Sequence, residues 1–93
     1  MEIVTISASI SEKKKVEFFQ TMESLTGLVK SQCNDIEIRV KDDNSLIIKI
    51  IFDGKAQMKR NFYNNEFTII KGTVKSLCED VIIKVNDSIV SYN

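Results

Sequence analysis

Between Ile50 and Phe67 the chain reads IIFDGKAQMKRNFYNNEF, and this stretch holds most of the residues that could enclose a small molecule. Phe52, Met58, Phe62 and Phe67 are large and apolar, and Asn61 and Tyr63 are the polar groups among them. Met58 and Asn61 lie three residues apart, so a helix brings them to one face. Phe52 shares its strand face with Ile48 and Ile50 by alternation. The expected pocket is therefore lined by Phe52, Met58, Asn61, Phe62 and Phe67. The candidates for a catalytic role are Asn61 and Tyr63, which could position an oxygen atom by hydrogen bonding. Glu66 is the nearest carboxylate, but the first turn of a helix suits it to complementing the dipole. Plainer roles compete with each of these. Aromatic stripes commonly form core, an asparagine commonly bonds backbone, and Tyr63 could lie on the surface.

The rest of the composition limits the chemistry. The chain has no His, no Trp and no Pro. Without imidazole there is no Ser-His or Cys-His nucleophile pair and no His metal ligand. Cys33 and Cys78 cannot build a zinc site and do not form a Cys-x-x-Cys pair, so no metal site is expected. An acid–base site would have to use a perturbed Tyr, Lys or carboxylate. Thirteen basic and thirteen acidic residues cancel, so no overall field draws nucleic acid or an anionic membrane. No apolar run reaches the roughly 20 residues of a membrane span, and no signal-peptide pattern opens the chain. A cytoplasmic protein is the default expectation.

Ninety-three residues make one domain, 1–93. Strand-like alternation runs from Glu2 to Ile10, with Val4, Ile6, Ala8 and Ile10 on one face. A helix follows, opened by Ser9 and Glu12 at capping-box spacing or by Ser11, and it carries Phe18, Met22, Leu25 and Val29 on one stripe to about Gln32. NDIEIRV and LIIKIIF form a hairpin through DDNS, with Asn44 suited to positive φ. That register sets Glu37 opposite Lys49. Asp53-Gly54 opens a second helix from about Lys55, and Asn64 caps a third segment carrying Phe67, Ile70, Val74 and Leu77. DVIIKV is the last strand, and 86–93 is a tail with a strand-like core. The order βαββαβ predicts an α+β, ferredoxin-like domain. Its four-stranded antiparallel sheet has the order 4-1-3-2, with the helices on one face. Cys33 and Cys78 then enter opposite edges, too far apart for a disulfide, and are expected as buried thiols.

The other sheet face carries Ile3, Thr5, Ser7, Ile47, Lys49, Ile51 and Ile82, beside Ser9, Glu37, Arg39 and Lys84. It is too rich in isoleucine for a fully solvated face, which predicts a homodimer with the two sheets stacked. The tail could add a strand to the partner's sheet. The third strand lacks the aromatic platform of RNA-recognition domains, and the first loop lacks the Cys-x-x-Cys of metal chaperones.

From Phe18 to Leu77 the chain resembles the antibiotic biosynthesis monooxygenase family of dimeric α+β barrels. Members show Gly-Cys before the second strand, an acidic hairpin and an apolar strand ending in Trp. A helix with His-Leu-x-Ser-x-x-Phe and a closing Leu-x-Gly-Ala-x-x-Leu follow. SQCNDIEIRVKDDN, LIIKIIF, NFYNNEF and IKGTVKSL stand in those places, with Phe52 for the Trp, Asn61 for the His and Asn64 for the Ser. The resemblance implies a dimer that binds or oxidises a small aromatic or quinol-type molecule with O₂, without metal or flavin. A haem-degrading branch needs a first-strand Asn, the Trp and the His, all of which this chain lacks. Loss of Trp and His leaves a second reading open, a non-catalytic dimeric module of the same fold that binds a ligand or serves a structural role.

Overall fold

A computed structural model describes residues 1–41 and 43–92. Asp42, within the expected DDNS turn, and Asn93, at the end of the expected tail, lie outside the described residues. The strands are β1 (Glu2–Ser9), β2 (Asp35–Val40), β3 (Ser45–Phe52), β4 (Glu79–Val85) and β5 (Ser88–Tyr92). The helices are α1 (Lys15–Val29), α2 (Lys55–Asn61) and α3 (Asn65–Leu77), and short 3-10 turns flank α1 at Glu12–Lys14 and Lys30–Gln32. All strand pairs are antiparallel in the order β2-β3-β1-β4-β5. This is the expected 4-1-3-2 order with a fifth strand added outside β4.

Alternation sets the two faces of the sheet. Val4, Ile6 and Ala8 of β1 are buried beneath the helices with Leu46, Ile48, Ile50 and Phe52 of β3, while Ile3, Thr5 and Ser7 remain half-buried on the other side. Phe18, Met22 and Val29 of α1 and Phe67, Ile70 and Val74 of α3 close the core from above. Burial of such side chains contributes roughly 1.5–3 kcal/mol each, which holds the helices to the sheet.

The β2–β3 hairpin follows its turn chemistry. Asn44 adopts φ 65, its N–H donates to the Lys41 carbonyl at 3.2 Å, and the Ser45 N–H donates to Asp43 Oδ1 at 3.0 Å. Glu37 pairs opposite Lys49, as the loop length requires. Asn64 caps α3, accepting from the Phe67 N–H at 3.1 Å.

Two local expectations are corrected. Ser9 remains in β1, paired with Ser45, and neither Ser11 nor Lys14 makes a side-chain cap. The 3-10 turn moves the start of α1 past the capping-box spacing, and Glu12 instead pairs with Lys15 at 2.9 Å. Within the Asp53-Gly54 pair Gly54 is the N-cap, and α2 starts at Lys55 as expected. The tail, expected to reach a partner's sheet, folds back as β5 on β4 of the same chain. Asn86 makes that turn at φ 55 and ties it to β1, donating from its backbone to Ile3 O at 2.6 Å and accepting from the Ile3 N–H at 3.1 Å. β4 is consequently an inner strand.

Candidate functional site

The expected pocket residues divide between two places. Phe52, Phe62 and Phe67 pack ring against ring under α2 and α3. Their centroids lie 6.1 Å apart for Phe52–Phe62, 5.6 Å for Phe52–Phe67 and 5.9 Å for Phe62–Phe67. All three are at most 2% exposed, and Met58 is buried with them. Tilted and edge-on contacts at these separations are the favoured packing of aromatic side chains. The three rings fill the space where an interior pocket would stand.

Asn61 is engaged elsewhere. Its Nδ2 donates to the Gln32 backbone carbonyl at 2.8 Å, and Asn64 Nδ2 donates to Gln32 Oε1. These two amides clasp the α2–α3 junction to the turn that ends α1, so Asn61 does not line the cavity described next. Phe52, at the Phe-for-Trp position, lies among the packed rings, and Asn61, at the Asn-for-His position, lies in this clasp.

A cavity does open on the flank of the domain, where the α2–α3 turn and α3 overhang the β4–β5 hairpin. It has a volume of ≈ 220 Å³ and is lined by Phe62, Tyr63, Lys71, Lys75, Ile83 and Val90. Phe62 and Ile83 are buried and form its floor, whereas Tyr63, 62% exposed, and Val90, 53% exposed, form its rim. The Phe62 and Tyr63 rings stand edge to face, 5.3 Å apart.

Lys71 reaches across this aromatic pair. Its Nζ donates to the Phe62 carbonyl at 3.1 Å and lies 4.3 Å from the Phe62 centroid and 4.8 Å from the Tyr63 centroid. Attraction of an ammonium to ring faces explains why the side chain lies inward. Burial pushes the Lys71 ammonium below the usual lysine range, and Lys75 one turn along the helix pushes it further the same way. Among the described residues the ion pairs are Glu12–Lys15 and Glu37–Arg39, so neither Lys71 nor Lys75 has a carboxylate partner.

The structure thus brings Phe62 and Tyr63 of the expected set to one cavity, and places Phe52, Met58, Asn61 and Phe67 outside its lining. Lys71, Lys75, Ile83 and Val90 were not among the expected site residues. One sequence signal pointed to the lysines. Lys71 has no acidic residue three or four positions away on its helix, and Lys75 is its i+4 neighbour.

The thiols offer no nucleophile. Cys33 and Cys78 are free and buried, and burial raises both above the ordinary thiol range, with Asp35 adding to the effect at Cys33.

On the outer sheet face the paired residues form rows across the strands. Arg39, Ile47, Ser7 and Ile82 form one row, and Glu37, Lys49, Thr5 and Lys84 form the next. Ile3 and Ile51 follow in a third. The isoleucines therefore occupy two rows with a polar row between them, not one unbroken patch. A groove of ≈ 300 Å³ lies over Glu37, Arg39, Lys41, Ile47 and Lys49. No helix among the described residues is long and apolar enough to cross a membrane.

Comparison with solved structures places this architecture. An antibiotic biosynthesis monooxygenase superposes with a TM-score of 0.76 at 12% identity, covering 95% of this chain and 98% of that one. A proposed antibiotic biosynthesis monooxygenase from Deinococcus radiodurans gives 0.78 at 15% identity, over 100% and 97% of the two chains. Another, from Caulobacter crescentus CB15, gives 0.78 at 13% identity, over 94% and 88%. The fold is that of the antibiotic biosynthesis monooxygenases. No protein-family model matches the sequence, and no curated protein matches it. At these identities the shared feature is the monooxygenase fold, and the resemblance read from Phe18 to Leu77 agrees with it.

Proposed function

We propose that this chain is a homodimeric ligand-binding module of the monooxygenase fold. It takes a small, single-ring aromatic molecule into the flank cavity beside Phe62, Tyr63 and Lys71. The observation that carries this reading is the contrast in packing. Phe52, Phe62 and Phe67 occupy the interior in mutual contact, while the cavity of ≈ 220 Å³ has an aromatic wall, an apolar floor and an exposed rim. That volume is below the roughly 300–1,000 Å³ of sites for drug-sized ligands, which suits one ring. Titration with phenol and hydroquinone, followed by chemical shifts and by Tyr63 fluorescence, tests it. Saturable changes at Tyr63 and Val90, weakened in Tyr63→Ala, support the reading; no change at either residue at millimolar ligand overturns it.

The dimer uses the outer sheet face, with Ile3, Ile47, Ile51 and Ile82 meeting their counterparts around Thr5, Ser7 and Lys49. Half-burial of four isoleucines on a helix-free face supports it. Sedimentation at micromolar concentration is expected to give twice the monomer mass, and Ile47→Asp to give the monomer. A wild-type monomer would remove the dimer.

One observation favours a second reading, oxygenation of a phenol or quinol without metal or flavin. Lys71 lies beside the aromatic wall with its ammonium destabilised, so its neutral form could accept a phenol proton, and the phenolate could then give an electron to O₂. Oxygen consumption on a hydroquinone panel, lost in Lys71→Met and kept in Asn61→Ala, would establish it. Rates equal to the uncatalysed reaction leave binding as the function.

A further inference from the structure

We infer that the flank cavity selects a ligand carrying a negative charge, a single-ring aromatic carboxylate of the benzoate class. This inference rests on the reading that the cavity holds a small aromatic molecule, and it adds the charge.

Lys71 and Lys75 are two formal cations one helical turn apart, and among the described residues no acidic one lines the cavity with them. Like charges at that spacing repel, and more strongly as water is excluded. Lys71 is not left to solvent, because its stem and ammonium lie over the Phe62 and Tyr63 rings. An ammonium has three N–H donors, and the Phe62 carbonyl takes one of them at 3.1 Å. A carboxylate at the mouth could accept from Lys71 and stand near Lys75, forming a charge-assisted bond and relieving the repulsion together. Its ring would then lie between Tyr63 on one side and Ile83 and Val90 on the other, over the Phe62 floor. A neutral phenol gains the ring contacts without the charge. A cationic amine meets two lysines.

The depressed affinity of Lys71 for its proton fits this arrangement, because an anion brought beside it restores the charged form. The ionisable groups facing Lys71 across the cavity are Tyr63 from the α2–α3 turn and Lys75 from its own helix. β4 and β5 present Ile83 and Val90, which do not titrate.

The test is a titration of the protein with benzoate, benzamide and benzylamine, followed by amide and methyl chemical shifts. A charge-assisted hydrogen bond contributes about 1.5–3 kcal/mol, so benzoate is expected to bind at least about ten-fold more tightly than benzamide, and benzylamine least. Lys71→Met should remove that preference, while Lys71→Arg should retain it. Calorimetry in two buffers of different ionisation enthalpy should show proton uptake with benzoate at about pH 9.5, where part of Lys71 is neutral, and none in Lys71→Met. A purely structural lysine would give no such uptake. Equal affinity for benzoate and benzamide, with shifts at Tyr63 and Val90, would overturn the charge selection and leave the cavity reading standing. Absence of shifts at Phe62, Tyr63 and Val90 with every probe would overturn both.

Discussion

Phe62 belongs to two regions at once, and the difference between them explains where a site can form in this molecule. On one side its ring meets Phe52 and Phe67 in a packed interior; on the other it meets Tyr63 and the Lys71 ammonium at a cavity open to solvent. The residue types are similar, and the surroundings differ. Inside, α2, α3 and β3 converge and aromatic rings fill the space between them. On the flank, the sheet runs one strand beyond β4, and β5 meets the overhanging α2–α3 turn without filling the gap beneath it. A cavity arises where elements diverge, whatever the sequence motif, and the polar group that reaches it is the one already lying over a ring face.

The largest expected effect is in the interior. Phe52→Ala removes a fully buried ring and should destabilise the fold by about 3–5 kcal/mol, read from urea denaturation. Tyr63→Ala removes a rim side chain and should change stability by no more than about 0.5 kcal/mol while weakening ligand binding. If Tyr63→Ala were as costly as Phe52→Ala, the two regions would be one core and the distinction would fail.

Asn61 gives an intermediate case. Asn61→Ala removes the bond to the Gln32 carbonyl and should cost about 1 kcal/mol of stability without changing ligand affinity. A loss of affinity at unchanged stability would move the site back toward the interior. Asn64→Ala should cost about 1 kcal/mol as well, through the lost cap of α3, and its effect should likewise be confined to stability.

The smallest effect is a pH dependence. Lys71 has a folded-state pKa below its ordinary value of 10.5, so the cost of keeping it charged is present at neutral pH. As pH rises toward 10.5 the folded state releases this proton before the unfolded state does, and Lys71 contributes a stability that increases with pH in that window. Comparing wild type with Lys71→Met between about pH 9 and pH 10.5 isolates the slope. Bound benzoate should abolish it, because the anion restores the charged form.

Much of the fold was legible because local rules and burial agreed. Alternation in Val4, Ile6 and Ala8 named the core face of β1, the loop ending at Asn44 fixed Glu37 opposite Lys49, and Asn64 capped α3. The start of α1 was less legible, since a 3-10 turn competes with a capping box over the same residues. The tail carries a strand-like pattern but no signal for its place on β4, although Asn86 tolerates positive φ for the same reason as Asn44. The cavity depends on that placement. Without β5 there is no Val90 wall, and Lys71 reads as an ordinary exposed lysine on α3. Phe62 and Tyr63 were identified from their types, but their partners come from elements distant in sequence and are joined only by the fold. Phe52, Met58 and Phe67 share the same apolar signal, which does not distinguish a filled interior from an enclosure.

The most direct test of the account is a hydroquinone titration mapped residue by residue by NMR. Saturable shifts centred on Tyr63, Lys71 and Val90 are expected, with the Phe52 and Phe67 signals unmoved. Shifts centred on Phe52, Met58 and Phe67 would contradict it, because they would mean that the three packed rings open to admit the ligand.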